Sequence, residues 1–338
     1  MNQPLAASNI ATGTAASATF ALETSAHVGT TPWGDLGASV SNDLSPVEMM
    51  EAAGVNWGVE KHPLTINPTG GGQDSDFIIV PDKQALVRDS DLKILDIVGK
   101  DWNPCQNEDA FEFFDDFVRS GDMEMHTAGS LKGGSIVWAL AKVKESFKCF
   151  GNDEVESYML LTNPHKFGQA IDVRFTPIRV VCQNTITLAL KGKNDAVKLN
   201  HKRAFDPMLV KNMLGIASQK LKQYEEMARF LGKNKYTHDG LTRFADELFP
   251  SYSKKELKKG EEKELSRPAK RVLELVGEQP GAHFAQGSWW QAYNAVTYFA
   301  DHERGADNDT RLQSAWYGQS KNLKLNALEK ALEFAEAA

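Results

Sequence analysis

The sequence has few cysteines and no long hydrophobic run. Only three of its 338 residues are cysteine, at Cys105, Cys149 and Cys182, and no C-x-x-C pair occurs. Scattered single cysteines predict a reducing, cytoplasmic compartment without structural disulfides. No stretch approaches 18 consecutive apolar residues, so we expect no membrane span and no membrane partner.

The N-terminal stretch lacks the features of a signal peptide. Residues 1–26 are rich in Ala, Ser and Thr, and no basic residue precedes their weakly apolar part. A signal peptide needs a positive segment followed by a compact apolar block, so we predict a disordered tail over 1–26. The chain as a whole is 41% hydrophobic and 25% charged, which is typical of a globular protein with a substantial core.

Motifs for nucleotides and metals are also missing. The segment GSLKGGS (129–135) has glycines at phosphate-loop spacing but no lysine before its final serine, which excludes that loop. The eight histidines show no zinc-binding spacing. Asp301, His302 and Glu303 are adjacent in a predicted helix, where neighbouring side chains diverge by about 100°, so they do not converge on one ion. We predict no cofactor and no metal site.

A thiol nucleophile is the remaining catalytic alternative. Cys182, with His165 or His201 and with Asn184, contains the residue types of a thiol hydrolase. Strand alternation instead places Cys182 on the same face as Val180, which is the pattern of a buried structural thiol. The acidic segments EDAFEFFDDF and DNDTR are interpreted as acidic helix faces. The sequence therefore favours a non-enzyme and leaves an unrecognised site open.

The order of predicted elements indicates an α+β fold, with a mainly antiparallel sheet body and a helical C-terminal part. Strands follow one another with few helices between them, which favours antiparallel pairing. Ser45, Pro46 and Glu48 predict a helix with a capping box, and Asn107 is predicted to cap a helix over 107–118. We predict an α+β core over 27–203 and a helical region over 204–338, with a charged connector near 253–266.

Charge is distributed unevenly along the chain. Residues 161–275 carry 23 basic and 13 acidic side chains, whereas residues 1–160 carry a net charge of −14 and the whole chain −7. A basic segment within an acidic protein indicates a polyanion partner, although solvated helix faces give the same pattern. Arginine binds phosphates in a bidentate manner and amide side chains can contact bases. The predicted nucleic-acid-binding residues are Arg174, Arg179, Gln183, Asn184, Lys191, Lys193, His201, Lys202 and Arg203.

The helix that follows extends this basic segment. Lys211, Lys222 and Arg229 are separated by 11 and 7 residues, close to whole helical turns, so they are predicted to form one stripe. Phe175 is the aromatic candidate for stacking on a base, with burial in the core as the alternative.

Six segments, taken in order along the chain, resemble a known family. They are TPWGDLG (31–37), AAGVNWGVE (52–60), VGKDWNPCQNEDAFEFFD (98–115), HTAGSLKGG (126–134), YMLLTNPHKFGQAIDVRFTPIRVVCQNT (158–185) and WWQAYNAVTYFADH (289–302). Together they resemble the phage/plasmid-like proteins that carry domain of unknown function 932. The resemblance implies a mobile-element context in the cytoplasm of a bacterial host cell, without implying a reaction.

Two positions depart from the family pattern. The resemblance implies a glutamate where this chain has His126, and an acid where it has Lys166 after His165. Loss of the first acid weakens a carboxylate-based mechanism, and the exchange at Lys166 replaces a candidate base by a cation. The exchange at Lys166 favours binding over catalysis.

The leading hypothesis is a non-catalytic protein of a phage or plasmid that associates with nucleic acid. Single-stranded DNA binding or annealing in recombination or replication, by a homo-oligomer, would suit a sheet followed by basic helices, although this rests on analogy between folds. The alternatives are an anti-defence or host-takeover protein that binds a host protein, and an enzyme using His165, Cys182 or His201.

Overall fold

The computed structural model describes residues 25–28, 37–68, 77–181, 184–185, 196–199, 207–251 and 264–337. Its strands form two sheets. Eight strands form the large sheet, in the order β10-β9-β8-β7-β6-β1-β2 with β11 also paired to β9, and β3-β4-β5 form a small sheet. The strands are β1 Ser25–Val28, β2 Ala38–Val40, β3 Val59–Ile66, β4 Ile78–Arg88, β5 Ile94–Gly99, β6 Met123–Leu131, β7 Ile136–Cys149, β8 Asp153–Pro164, β9 Ile171–Arg179, β10 Asn184–Thr185 and β11 Ala196–Leu199.

The helices lie mainly in the second part of the chain, after β11. They are α1 Pro46–Ala52, α2 Asn107–Glu112, α3 Asp115–Arg119, α4 Pro207–Lys233, α5 His238–Leu248, α6 Arg267–Glu278, α7 Trp289–Tyr298, α8 Asn308–Tyr317 and α9 Gln319–Glu336, with a π-helix at Phe299–Glu303 directly after α7. The predicted α+β class is confirmed. All strand pairs are antiparallel except β1 with β2, which is parallel.

Strand alternation gives the large sheet two buried faces. In β7, Val137 and Ala139 belong to a core shared with α1, α2 and α3. Trp138 and Leu140 point to the opposite face, where they form a second core with Trp316 of α8. Helices cover both faces of the sheet. The sequences of the central strands are therefore nearly continuous runs of apolar residues.

The helical part has its own core against the far ends of β7, β8 and β9. Leu221, Tyr224, Ala228 and Leu231 repeat every three or four residues on the buried side of α4. This spacing places them on one face of the helix, and they pack in the same core as Trp290 of α7. Phe175 is buried in this core at 4% exposure, so the prediction that it stacks on a base is wrong and its alternative reading is correct.

Two predicted helix starts have different outcomes. At α1, the side chain of Ser45 accepts from Glu48 N while Glu48 accepts from Ser45 N, so the predicted capping box is confirmed. The helix predicted over 107–118 is divided into α2 and α3, and Gln106 rather than Asn107 occupies the N-cap. The side chain of Asn107 is not available for capping because it is buried and bonds to two backbone carbonyls of the 55–57 segment.

Several predicted boundaries fall at or beyond the limits of the described residues. The first two residues of β1, Ser25 and Ala26, fall within the predicted tail over 1–26. Most of the connector predicted near 253–266 lies outside the described residues. The helices of the described residues include none that combines the length and the apolar character of a transmembrane segment.

Candidate nucleic-acid interface and buried polar junction

The structure places Arg174 in the interior, not on an open groove. Its Nε and Nη2 donate to the two carboxylate oxygens of Asp172, at 2.7 and 2.5 Å, and its Nη1 donates to the Trp316 carbonyl at 2.9 Å. The guanidinium also stacks over the Tyr317 ring, 4.2 Å from its centroid. With 5% exposure, Arg174 joins β9 to α8 and is not accessible to a phosphate.

Arg179 is buried more deeply, at 1% exposure. Its Nε donates to Asp153 Oδ1 at 2.6 Å, and Trp290 Nε1 donates to the other oxygen of the same carboxylate at 2.9 Å. Its Nη groups reach Gln279 Oε1 at 3.3 Å and the Gly281 carbonyl at 3.0 Å. Arg179 therefore joins β9 and β8 to the segment after α6 and to α7.

Asn184 and Thr185 form a third buried link. Asn184 Nδ2 donates to Thr297 Oγ1 at 2.7 Å. Asp301 accepts from both the backbone N–H and the hydroxyl of Thr185, at 2.8 and 3.0 Å. Lys324 of α9 donates to Asp301 Oδ1 at 2.6 Å and to the Thr185 carbonyl at 2.6 Å. The π-helix thus carries the carboxylate that fixes β10 to α9.

These three links overturn part of the predicted interface. Arg174, Arg179 and Asn184 were predicted to contact nucleic acid, but each is buried and bonded within the protein. A buried charge is stable only when it is paired and hydrogen-bonded, and Arg174 and Arg179 meet this condition through Asp172 and Asp153. Gln183, Lys191, Lys193, His201, Lys202 and Arg203 lie outside the described residues, as does Cys182.

His165 lies in a separate buried cluster after β8. Its Nε2 is 2.9 Å from Asn107 Oδ1, while Asn107 Nδ2 donates to the carbonyls of Val55 and Trp57, at 3.0 and 3.1 Å. Because the amide nitrogen is committed to two carbonyls, Asn107 Oδ1 is the acceptor and His165 Nε2 is the donor. The imidazole also lies against the Trp57 ring, with centroids 5.4 Å apart. Three separated segments of the chain meet at this cluster.

A thiol nucleophile finds no support in the described part of the chain. Burial, reinforced by the Asp109 charge, raises the pKa of the Cys105 thiol to about 12. Burial likewise raises the pKa of Cys149 to about 12. The thiolate is the reactive form of cysteine, and these environments disfavour it.

A partly exposed polar cluster lies on the sheet around Glu156. Lys142 Nζ and the Tyr158 hydroxyl each donate to one of its carboxylate oxygens at 2.6 Å, and the His126 ring meets Tyr158 edge-on. Burial lowers the pKa of His126 to about 4, so its ring is neutral at pH 7. Among the described residues no group of three His, Cys, Asp or Glu side chains is placed to hold a metal ion.

The exposed side of α4 is the candidate interface for a single-stranded nucleic acid. Its exposed residues recur at helical spacing opposite the buried face, and we call them the α4 stripe: Gln219, Lys222, Gln223, Glu226, Arg229, Phe230 and Lys233. Lys222 and Arg229 were predicted to share a stripe, and both are exposed on this side; the side chain of Lys211 is not among those described.

The stripe combines cations with amides and an aromatic ring. Lys222 and Lys233 are 11 residues apart, which corresponds to about 16 Å along the helix. Arg229 pairs with Glu225 at 2.7 Å and donates to the Lys148 carbonyl at 2.9 Å, so the stripe continues toward the end of β7. Phe230 is 37% exposed. The sequence analysis missed Phe230, although its position next to Arg229 outside the apolar repeat of α4 was a usable signal.

The fold and these contacts define an α+β protein whose antiparallel sheet is joined to a helical part by buried ion pairs. The chain belongs to the family described as Domain of unknown function (DUF932), whose model matches residues 94–321, from β5 into α9. The resemblance to proteins with domain of unknown function 932 is thereby confirmed, and four of the six segments lie within the matched range. Comparisons with curated proteins and with solved structures yield no match.

Proposed function

We propose that the protein is a non-catalytic, nucleic-acid-associated protein that binds single-stranded nucleic acid along the α4 stripe. The observation that carries the proposal is the combination on one helix face of three cations, two amides and an exposed Phe230. Cationic side chains attract the backbone, and aromatic rings accept any base by stacking. The basic segment of residues 191–203 directly precedes α4 and adds cations in sequence.

The biological setting is part of the same proposal. The resemblance to phage/plasmid-like proteins supports a mobile-element role in the bacterial cytoplasm, in recombination or replication. Burial raises the pKa values of Cys105 and Cys149, so neither of these two thiols supports a nucleophilic mechanism. The cations of the stripe are accompanied by Glu226 and by Glu225, which pairs with Arg229, so we expect modest affinity that falls with added salt.

The proposal is tested by fluorescence anisotropy with a labelled oligothymidylate at several salt concentrations. Lys222→Ala with Lys233→Ala removes two phosphate contacts, so the slope of log K against log salt should fall by about 1.4 for a single strand. Phe230→Ala should weaken binding about tenfold through lost stacking, with a smaller change in slope.

A matched control uses two exposed cations outside the stripe. Lys83→Ala with Arg119→Ala removes the same charge from the acidic first part of the chain and should leave both affinity and slope unchanged. The proposal fails if the wild-type protein does not bind at about 50 mM salt. It also fails if the stripe and control variants lose affinity equally, because the attraction would then be a general effect of charge.

A further inference from the structure

A row of polar side chains crosses one face of the large sheet from β6 to β9. Lys142 of β7 lies opposite Tyr158 of β8, and Tyr158 lies opposite Thr176 of β9. Glu156 shares the face of Tyr158, two residues away, and the His126 ring of β6 meets Tyr158 edge-on at 5.0 Å between centroids. Residues directly opposite each other on neighbouring strands are in contact range, so these five side chains form one cluster, which we call the polar row.

The polar row shares its sheet face with an apolar core. Trp138 and Leu140 of β7 and Leu160 of β8 continue the same face toward α8, where they pack with Trp316. The row therefore stands where the apolar face would otherwise continue across the sheet. Polar groups at such positions cost free energy unless hydrogen bonds compensate them.

The hydrogen-bonding capacity of the row is not used up within the protein. Glu156 accepts from Lys142 Nζ and from the Tyr158 hydroxyl, both at 2.6 Å. Lysine has three N–H donors, and Lys142 uses one of them on Glu156. Thr176 is 0% exposed, yet neither its hydroxyl nor Nδ1 of His126 has a hydrogen-bond partner among the described residues. A ligand group with several acceptor oxygens would satisfy the remaining donors.

Solvent reaches the row from one side. The side chain of Lys142 is 36% exposed and that of Glu156 is 19% exposed, and His126 is partly buried. Tyr158 and Thr176 are buried behind them. A ligand that approaches from solvent therefore meets Lys142 and His126 first.

The charge of the row determines which ligand it can hold. Lys142 and Glu156 offset each other, and the His126 ring is neutral at pH 7 because burial lowers its pKa to about 4. The titratable groups around this ring in the described structure are Glu156 and Tyr158 of β8, Lys142 of β7 and His27 of β1. A bound anion would raise the pKa of His126, since an opposite charge favours the protonated ring. One proton balances one negative charge, so a monoanion is the ligand that leaves the row neutral.

We propose that the polar row binds a monovalent oxyanion group, either a carboxylate or a phosphodiester, with Lys142, His126 and the Thr176 hydroxyl as donors. Glu156 does not contact the ligand in this arrangement but positions Lys142 and Tyr158 through its two hydrogen bonds. The site lies on the sheet, so it is separate from the α4 stripe and does not rest on nucleic-acid binding there.

NMR titration of the full-length protein with sodium dimethyl phosphate, and separately with sodium formate, tests the proposal. Each probe is added up to about 0.1 M, with chloride keeping the ionic strength constant. The His126 ring signals should shift and saturate, and the pKa of His126 should be higher with the probe than in chloride. Affinity should rise by about tenfold from pH 7 to pH 5, because binding is coupled to uptake of a proton. Tighter binding of dimethyl phosphate assigns the site to a phosphodiester, and tighter binding of formate assigns it to a carboxylate.

Three variants test the proposed donors. Lys142→Gln and His126→Gln should each weaken binding by about tenfold, and His126→Gln should also remove the pH dependence of affinity. Thr176→Val removes a buried hydroxyl that has no partner among the described residues, so the variant should fold as stably as wild type while binding the probe more weakly. It keeps the test decisive if either of the other variants is unstable by circular dichroism.

Lys144→Gln is the matched control, because Lys144 is an exposed lysine of the same strand. Its ammonium lies beside Gly121, at the turn before β6, and not in the row. This variant should bind the probes as wild type does.

The proposal is overturned if neither probe shifts the His126 ring signals at about 0.1 M. It is also overturned if Thr176→Val and His126→Gln bind as wild type does, or if Lys144→Gln loses as much affinity as Lys142→Gln. The last result would show a general effect of charge and not a site.

Discussion

Arg179 and Arg271 each have several partners, yet they occupy opposite environments. Arg179 lies between β9 and the helical part at 1% exposure, with one carboxylate and several neutral acceptors. Arg271 lies on the surface of α6, where it meets three glutamates, Glu274, Glu278 and Glu303, at 2.8 to 2.9 Å. Arg271 has more acidic partners than Arg179. We nevertheless expect Arg179 to contribute more to the stability of the fold, because it is buried.

The difference follows from solvent. At the surface, water screens the ion pairs and competes for every donor, so each pair contributes little to stability. In the interior, no water replaces a missing partner, so removing one member leaves an uncompensated charge. The large sheet and the helical part are therefore held together by a few irreplaceable polar contacts as well as by their shared apolar cores.

The largest expected effect is at Arg179. Arg179→Ala leaves Asp153 buried beside Trp290 without its counter-charge, so we expect a loss of about 3–5 kcal/mol in the free energy of unfolding. Urea unfolding followed by circular dichroism measures it. Since domains are stable by only about 5–15 kcal/mol, the variant should be close to unfolding at room temperature. A loss below about 1 kcal/mol would show that water enters the junction and compensates Asp153.

An intermediate effect is expected at His126, whose cluster is partly buried. Its pKa of about 4 in the folded protein lies below the ordinary value of 6.5, because burial disfavours the charged ring and Lys142 and His27 add to this against the opposing charge of Glu156. As pH falls through this window the unfolded chain takes up the proton first, so stability present above pH 6.5 is lost toward pH 4.

Protonation of His126 alone should lower the free energy of unfolding by about 2 kcal/mol at pH 5 relative to pH 7.5. The His126→Gln variant cannot take up this proton. Between pH 7.5 and pH 5 its free energy of unfolding should therefore fall by about 2 kcal/mol less than that of the wild type. Urea titrations of both proteins at the two pH values provide the measurement. Parallel pH dependences would mean that solvent reaches the His126 ring.

The smallest expected effect is at Arg271. Arg271→Ala removes all three surface pairs at once, yet we expect the melting temperature to change by no more than about 2 °C, because each pair is screened and costs side-chain entropy. Differential scanning calorimetry at low and high salt checks this. If Arg271→Ala destabilised the protein as much as Arg179→Ala does, the three glutamates would be shown to act with Arg271 as a cooperative network.

Much of the local structure was predictable because its causes are local. The capping box at Ser45 and the antiparallel arrangement of the sheet both depend on residues close in sequence or on a simple alternation. The exposure of Lys222 and Arg229 followed from helical periodicity in the same way. The polar residues of the strands were not predictable, since a basic residue next to apolar ones has the same pattern whether it pairs inside or projects into solvent.

Asp153 shows why. It lies 26 residues from Arg179 in sequence, and Trp290 lies 137 residues from Asp153, yet the three meet through hydrogen bonds. No spacing rule connects such positions. His165 was likewise notable in sequence as a candidate base, and it became an oriented donor to Asn107 only when strands and loops from separate segments converged.

The sequence by itself determined the family, the α+β class, the capping box of α1 and the amphipathic face of α4, because periodicity, capping chemistry and segment identity act over short range. Tertiary structure decided which cations are buried and which face solvent. Burial depends on residues far apart in sequence, and burial is what turns the same arginine side chain into an irreplaceable link at Arg179 or a solvated surface group at Arg271.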